Sequence, residues 1–291
     1  MNPMNREMNR EIRQAIASTT LDALSQGGYE SALGVYVELT GWQRAAEAGS
    51  RLYPPDEGAE LLTELSAPGT TAAELRVYPA TTLEAAARLR QQFGRVGCLN
   101  FASARNPGGG FRGGSQAQEE SLARSSGLYP CLTQFPQLYA HNSRPGSTGL
   151  YSDYLVYSPA VPVFRGEAGE WLPRPFPLDI ITAPAVNAGA LRRNSPELLP
   201  QLEPFMRQRL RLVLAAAARH GTEALVLGAW GCGVFGNDPA QVARLFAEVL
   251  AEPGIRTRFR RLDFAIFDPK PPHHTLQAFE QALQPLTAAS V

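Results

Sequence analysis

From Glu74 onward, apolar runs of four to seven residues alternate with longer segments whose apolar residues recur every three or four positions. Strands that are apolar on both faces, alternating with helices, are satisfied by a largely parallel sheet covered on both sides. Leu75–Tyr78, Val96–Phe101, Leu178–Ala183, Ala224–Trp230 and Leu262–Phe267 read as strands. Thr82–Phe93, Gln116–Ser126, Pro196–His220, Asp238–Leu250 and Thr275–Leu283 read as helices. Pro196–His220 is the clearest: Leu199, Leu202, Phe205, Leu210, Val213, Leu214 and Ala217 form one stripe, and Gly221 ends it. Tyr151–Phe164 is strand-like but interrupted by prolines, which predicts an edge or loop position. The expectation is an α/β fold of three layers, α/β/α, around a mixed, largely parallel central sheet.

The first 72 residues are different. Arg6–Ser25 reads as a helix stopped by Gly27-Gly28, Val35–Leu39 as a short strand and Asp56–Leu65 as a short helix. Gly41–Pro55 reads as irregular. The segment is too poor in apolar residues for a core of its own. It is expected to be an N-terminal helical extension packed on residues 73–291, giving one structural domain overall.

Composition excludes several classes. The 27 basic and 27 acidic residues cancel, so bulk charge gives no reason for nonspecific nucleic-acid or membrane binding. The three cysteines, Cys98, Cys131 and Cys232, are odd in number and lack metal-ligand spacing. Neither a disulfide framework nor a metal site is expected, and a cytoplasmic setting is. Met1–Arg13 is polar and has no apolar signal core, and no apolar run nears the roughly 18 residues of a membrane span.

Two glycine loops follow strands. In Asn106-Pro107-Gly108-Gly109-Gly110, leading to Gln118-Glu119-Glu120, five of the seven residues from 108 to 114 are glycine. A bare backbone at the carboxyl end of a strand, before a helix N-terminus, suits a phosphate. Ser115 and Gln116 stand where a nucleotide-hydrolysing P-loop needs Lys and Ser/Thr. The bland reading is a turn-rich loop whose glutamates complement the helix dipole.

The second loop, Gly231-Cys232-Gly233-Val234-Phe235-Gly236, has GxGxxG spacing. The acid expected about 20 residues on in a dinucleotide site is missing, since Asp268 lies too far along. It reads as a second phosphate loop, with Phe235 able to pack on a ribose or base. Two such loops on neighbouring strands fit a diphosphate, and hence a ligand such as ADP-ribose.

Leu99 through Gly110 and Gln118-Glu119-Glu120-Ser121-Leu122 resemble the signature of microbial-type poly(ADP-ribose) glycohydrolases: GGG, six to eight residues, then QEE, with a gap of seven here. Gly233-Val234-Phe235-Gly236-Asn237 resembles that family's diphosphate loop. The resemblance implies a macrodomain-like fold and hydrolysis of ribose–ribose O-glycosidic bonds in poly(ADP-ribose), reversing ADP-ribosylation in the DNA damage response. It implies that Glu120 is the catalytic acid/base and that Glu119 contacts the substrate ribose. Asn106 would bind the distal ribose hydroxyls, and Gly233–Asn237 would wrap the diphosphate, with Phe235 positioning the distal ribose. Gly108, Gly109, Gly110, Gln118 and Gly231 join them as substrate-binding candidates. No metal and no cofactor are implied. The partners would be poly(ADP-ribose), ADP-ribose and ADP-ribosylated proteins, with no nucleic acid or membrane, and the protein would be a monomer.

The residues constrain the chemistry independently. Glycosidases usually flank the bond with two carboxylates. Neighbours on a helix diverge by about 100°, so Glu119 and Glu120 cannot do so. One carboxylate must act twice, first as acid and then as base.

Weaker candidates are Asn187 as a cleft residue or a turn former, and Phe267 as an adenine-stacking or a core residue. Arg256, Arg258, Arg260 and Arg261 read as a polyphosphate track or a solvated connection. Cys232 has no histidine partner nearby in sequence, and the histidines show no ligand spacing. Other readings stay open: a noncatalytic ADP-ribose-binding macrodomain, a hydrolase of protein-linked mono-ADP-ribose, and a nicotinamide-dependent oxidoreductase.

Overall fold

The computed structural model of the chain describes residues 8–65, 69 and 71–288. Helix α1 (Arg10–Gln26) begins where the Asn9 side chain accepts the Ile12 N–H at 2.8 Å, and stops at Gly27, whose φ is 87°. Arg6 and Glu7 of the expected helix lie outside the described residues. Strands β1 (Gly28–Glu30) and β2 (Tyr36–Glu38) pair as a small antiparallel hairpin. The segment expected to be irregular instead contains α2 (Thr40–Gly49) and β3 (Arg51–Tyr53). The buried face of α2 is Gln43 and Ala46, so no apolar stripe announces it. Gln43 is accommodated because its Nε2 donates to the Gly127 carbonyl at 3.0 Å. Helix α3 (Gly58–Leu62) is a single turn flanked by 3-10 turns.

The remaining elements alternate as the sequence requires: β4 (Glu74–Tyr78), α4 (Thr82–Leu89), β5 (Val96–Phe101), α5 (Gln118–Ser125), α6 (Leu128–Thr133), α7 (Pro136–Ser143), β6 (Leu155–Arg165) and β7 (Trp171–Ala183). Then come α8 (Ala188–Asn194), α9 (Leu202–Arg219), β8 (Ala224–Leu227), α10 (Pro239–Ala251), β9 (Arg261–Ala265) and α11 (His274–Ala288). The central sheet runs β3-β6-β7-β5-β8-β9-β4. The five strands from β7 to β4 are parallel; at one end β6 pairs antiparallel with β7, and β3 antiparallel with β6. Alternate residues feed two cores: Leu99, Ile181, Leu225 and Phe264 join α9 and α10 on one face, while Cys98, Ile180 and Val226 join α4 and α6 on the other. This is the three-layer α/β/α arrangement, macrodomain-like, that the alternation predicts.

Two expectations need correction. Tyr151–Phe164 is not an edge: Arg51–Tyr53 pair outside Leu155–Tyr157. Its prolines are tolerated because the register with β7 slips between Ser158 and Val161, around Pro159 and Ala160. The long helix starts late, because Pro196–Gln201 forms a 3-10 turn with Pro200 inside it, and the α-helix begins at Leu202.

Arg209, on α9, is 0% exposed. Its guanidinium pairs with Asp153 at 2.9 Å and donates to the carbonyls of Pro184, Leu150 and Tyr151 at 2.9, 3.0 and 3.2 Å. It therefore ties the loop before β6 to the end of β7. Arg209→Met leaves those acceptors unpaired and is expected to destabilise the protein by about 3–5 kcal/mol, read as a lower urea midpoint.

Candidate active site

Strand β5 runs directly into the first glycine loop, and α5 returns against it. Gln118, the first residue of α5, is committed to the strand: its Oε1 accepts the Phe101 N–H at 2.8 Å and its Nε2 donates to the Leu99 carbonyl at 2.7 Å. Its side chain is therefore a clip between helix and strand, although it borders the cleft. The next two residues diverge as helical geometry demands. Glu119 is 2% exposed; it accepts the Ser103 N–H at 2.6 Å and Asn100 Nδ2 at 3.2 Å. Burial pushes its carboxyl up to about 8, against the lowering effect of those hydrogen bonds, with Glu120 adding to the rise. Glu120 is half-buried at the cleft wall and accepts the Gly110 N–H at 3.0 Å.

The glycines matter chiefly for these carboxylates. A Cβ on Gly109, whose φ is 59°, would lie 2.4 Å from Glu120 Oε1 and 3.1 Å from Glu119 Oε2. The bare backbone expected to admit a ligand admits the protein's own acids first. Helix α1 closes the far end of the loop: Arg10 and Arg13 donate to the carbonyls of Gly113 and Gly114 at 2.8 and 2.7 Å.

The second loop follows β8. Trp230, fully buried, donates to the Ala183 carbonyl at 3.1 Å, and Asn237 Nδ2 donates to Val186 at 2.7 Å and to Gly231 at 3.0 Å. Gly231 has φ 76°, and a Cβ there would lie 2.5 Å from Asn237 Nδ2. Asn237 is thus a buried staple that shapes the loop from behind. The N–H groups of Gly233, Val234 and Phe235 have no acceptor among the described residues. Successive free amides of this kind suit a phosphate. The Phe235 ring rests against Tyr151, with centroids 5.8 Å apart.

Between the loops, past the carboxyl ends of β5, β8, β9 and β4, lies a cleft of about 610 Å³. Of the expected residues, Asn106, Gly109, Gly110, Glu119 and Glu120 border it from the first loop and α5. Gly231, Gly233, Val234 and Phe235 border it from the second, and Val234 is 86% exposed. Phe267 stands at the other end, 69% exposed, so it is not a core residue. Gly108, Gly236 and Asn237 stand behind the lining.

Asn187 is also outside the cleft and caps α8, accepting the Ala190 N–H at 2.8 Å. The reading of Asn187 as a cleft residue is therefore corrected. The arginine cluster lies at the opposite end of the sheet, where Arg261 pairs with Glu74 and Arg260 with Glu223. Burial pushes the Cys232 thiol up to about 12, which disfavours the thiolate. His220 stacks on Tyr157 with centroids 3.5 Å apart, far from the cleft.

Sequence reading missed Asn100, Ser103, Thr81 and Glu167. Asn100 left a signal: it is a lone amide inside an apolar strand, and it is fully buried. Glu167, in the turn between β6 and β7, borders the cleft and accepts a hydrogen bond from the Thr81 hydroxyl. Nothing local in the sequence marks it.

Fold and cleft place the chain in the macrodomain class, with an accessible carboxylate where a protein that only binds ADP-ribose needs none. The profile of the microbial-type PARG catalytic domain matches residues 17–166. The fold is similar to poly(ADP-ribose) glycohydrolase (PARG) from Thermomonospora curvata, with TM-score 0.89 and 45% identity over 94% of this chain and 99% of that one. The same enzyme bound to the inhibitor ADP-HPD gives TM-score 0.86 and 44% identity, covering 93% and 99% of the two chains. PARG from Deinococcus radiodurans in complex with ADP-ribose gives 0.81 and 49%, covering 86% and 100%. No curated protein sequence matches. The chain belongs to the microbial-type poly(ADP-ribose) glycohydrolase family, and it is a hydrolase of glycosidic bonds in poly(ADP-ribose).

Glu119 gives stability a defined pH dependence. Below its ordinary value of 4.5, folded and unfolded chains both hold the proton. Between 4.5 and about 8 only the folded chain keeps it, so this group's contribution to stability falls as pH rises through that window. Glu119→Gln is expected to remove this component, which urea midpoints of both proteins across the window would show.

Proposed function

We propose that Glu120 is the single general acid/base of the reaction and that Glu119 is the fixed floor beneath it. The observation that carries this is the asymmetry of the pair. Both Glu119 oxygens are engaged and the residue is sealed, whereas Glu120 stands at the cleft wall with one oxygen on Gly110. Glu120 gives its proton to the leaving ribose oxygen as the bond to the anomeric carbon stretches. It then takes a proton from the water that attacks the same carbon. The oxocarbenium-like ring formed between these steps lies next to the substrate's own diphosphate, whose charge stabilises it.

In this reading the loops hold the rest of the ligand. The free N–H groups of Gly233, Val234 and Phe235 receive the diphosphate, with the Phe235 ring against the distal ribose. Asn106 binds the hydroxyls of that ribose. Phe267 stacks on the adenine at the other end of the cleft. ADP-ribose is then the product held there, and ADP-ribosylated proteins are the carriers of the polymer. No helix among the described residues is long and apolar enough to cross a membrane. A cytoplasmic site of action belongs to this proposal.

Glu120→Gln keeps an oxygen for the Gly110 N–H and removes only the titrating group. Turnover of poly(ADP-ribose) is expected to fall about 10²–10⁴-fold with ADP-ribose binding retained. Near-wild-type turnover would sink the assignment. Phe235→Ala is expected to weaken ADP-ribose binding by about 1 kcal/mol, roughly fivefold, in calorimetry. An unchanged affinity would remove Phe235 from the ribose site.

A further inference from the structure

Glu120 marks more than the bond that breaks. On the assignment above, which this inference rests on, the terminal ADP-ribose unit fills the cleft from Phe267 to Phe235. The leaving group that Glu120 protonates is the rest of the polymer. The polymer must therefore emerge beside Glu120, and each further unit carries a diphosphate.

The exposed cations of the chain are unevenly partnered. At the amino ends of the parallel strands the exposed Arg260 pairs with Glu223 and Arg95 with Asp179, and the buried Arg261 with Glu74. At the carboxyl ends, Arg105, Arg112 and Arg193 are exposed, and among the described residues no side-chain hydrogen bond or ion pair engages them. Arg105 directly precedes Asn106. Arg112 lies just beyond Gly110, whose N–H holds Glu120. Arg193 sits on α8, which is fastened to the second loop. There the Gly189 N–H donates to Phe235 at 2.9 Å and Arg192 Nη1 donates to Gly236 at 3.0 Å. Unpaired cations thus stand on or beside both glycine loops that bank the cleft. Of the carboxylates near the second loop, Asp153 is engaged by Arg209 and Asp238 by a helix N–H group.

We propose that Arg105, Arg112 and Arg193 form a polyanion-binding surface that receives the diphosphates of the units behind the scissile bond. The substrate's own chain is the favoured occupant because it is tethered to the unit in the cleft. Weak charge contacts then act at high effective concentration. A free nucleic acid has no tether, and a chain of zero net charge gives it no bulk attraction.

The test uses the full chain carrying Glu120→Gln, with and without Arg105→Ser, Arg112→Ser and Arg193→Ser together. Dissociation constants for ADP-ribose and for long poly(ADP-ribose) are measured across a salt series. ADP-ribose affinity is expected to stay within about twofold. Polymer affinity is expected to fall on the order of tenfold at low salt, with the slope of log K against log salt shrinking by about 2 units. A parallel loss for both ligands, or a polymer affinity that does not move, overturns the proposal. Single-stranded DNA of equal phosphate number that binds as tightly and loses as much also overturns it, making the surface a nucleic-acid site. Near-wild-type polymer cleavage by Glu120→Gln overturns the acid assignment itself, and with it the place where the chain leaves.

Discussion

The burial of Glu119 is the constraint on which the site depends. A carboxyl sealed from water needs partners, and these come from β5 through Asn100 and from the following loop through Ser103. Those bonds fix the rotation of α5 about its axis. Once that rotation is fixed, the adjacent residue can face only the cleft, and Gly109 must be bare to let both carboxylates pass. The glycine run, the acid pair and the strand amide are parts of one packing solution. The carboxylate at the cleft wall is oriented by its buried neighbour.

Much of this is legible in the sequence, for identifiable reasons. The parallel strands carry mostly apolar runs, so their pattern survives without knowledge of their partners. The adjacency of Glu119 and Glu120 alone forbids a two-carboxylate mechanism. What stays hidden depends on distant partners. Gln43 makes α2 look polar because its amide is satisfied by Gly127, far along the chain. Asn187 and Asn237 look alike as loop amides, yet one caps a helix and the other staples a phosphate loop from behind. Glu167 reaches the cleft only because the β6–β7 turn folds back onto Thr81 at the start of α4.

The position of the arginines makes the same point about charge. In the sequence cluster from Arg256 to Arg261, Arg260 and Arg261 are held by structural carboxylates at the end of the sheet away from the cleft. Cations scattered through the sequence, Arg105, Arg112 and Arg193, stand exposed on or beside the two glycine loops. Sheet polarity sorts these charges, because parallel strands present their ligand-facing loops at one end only.

The pairing of β3 with β6 bears on how the protein is made. Arg51–Tyr53 leave the ribosome long before Leu155–Tyr157 exist to receive them. The N-terminal segment must therefore wait, and during that interval the outer side of β6 has no strand beside it. A newly made chain passes through a stage with an open, apolar sheet margin, which is the kind of surface that recruits other chains. The opening residues are thus a closing strip for the nascent sheet, and changes at Arg51–Tyr53 should lower the yield of soluble protein more than the activity of each folded molecule.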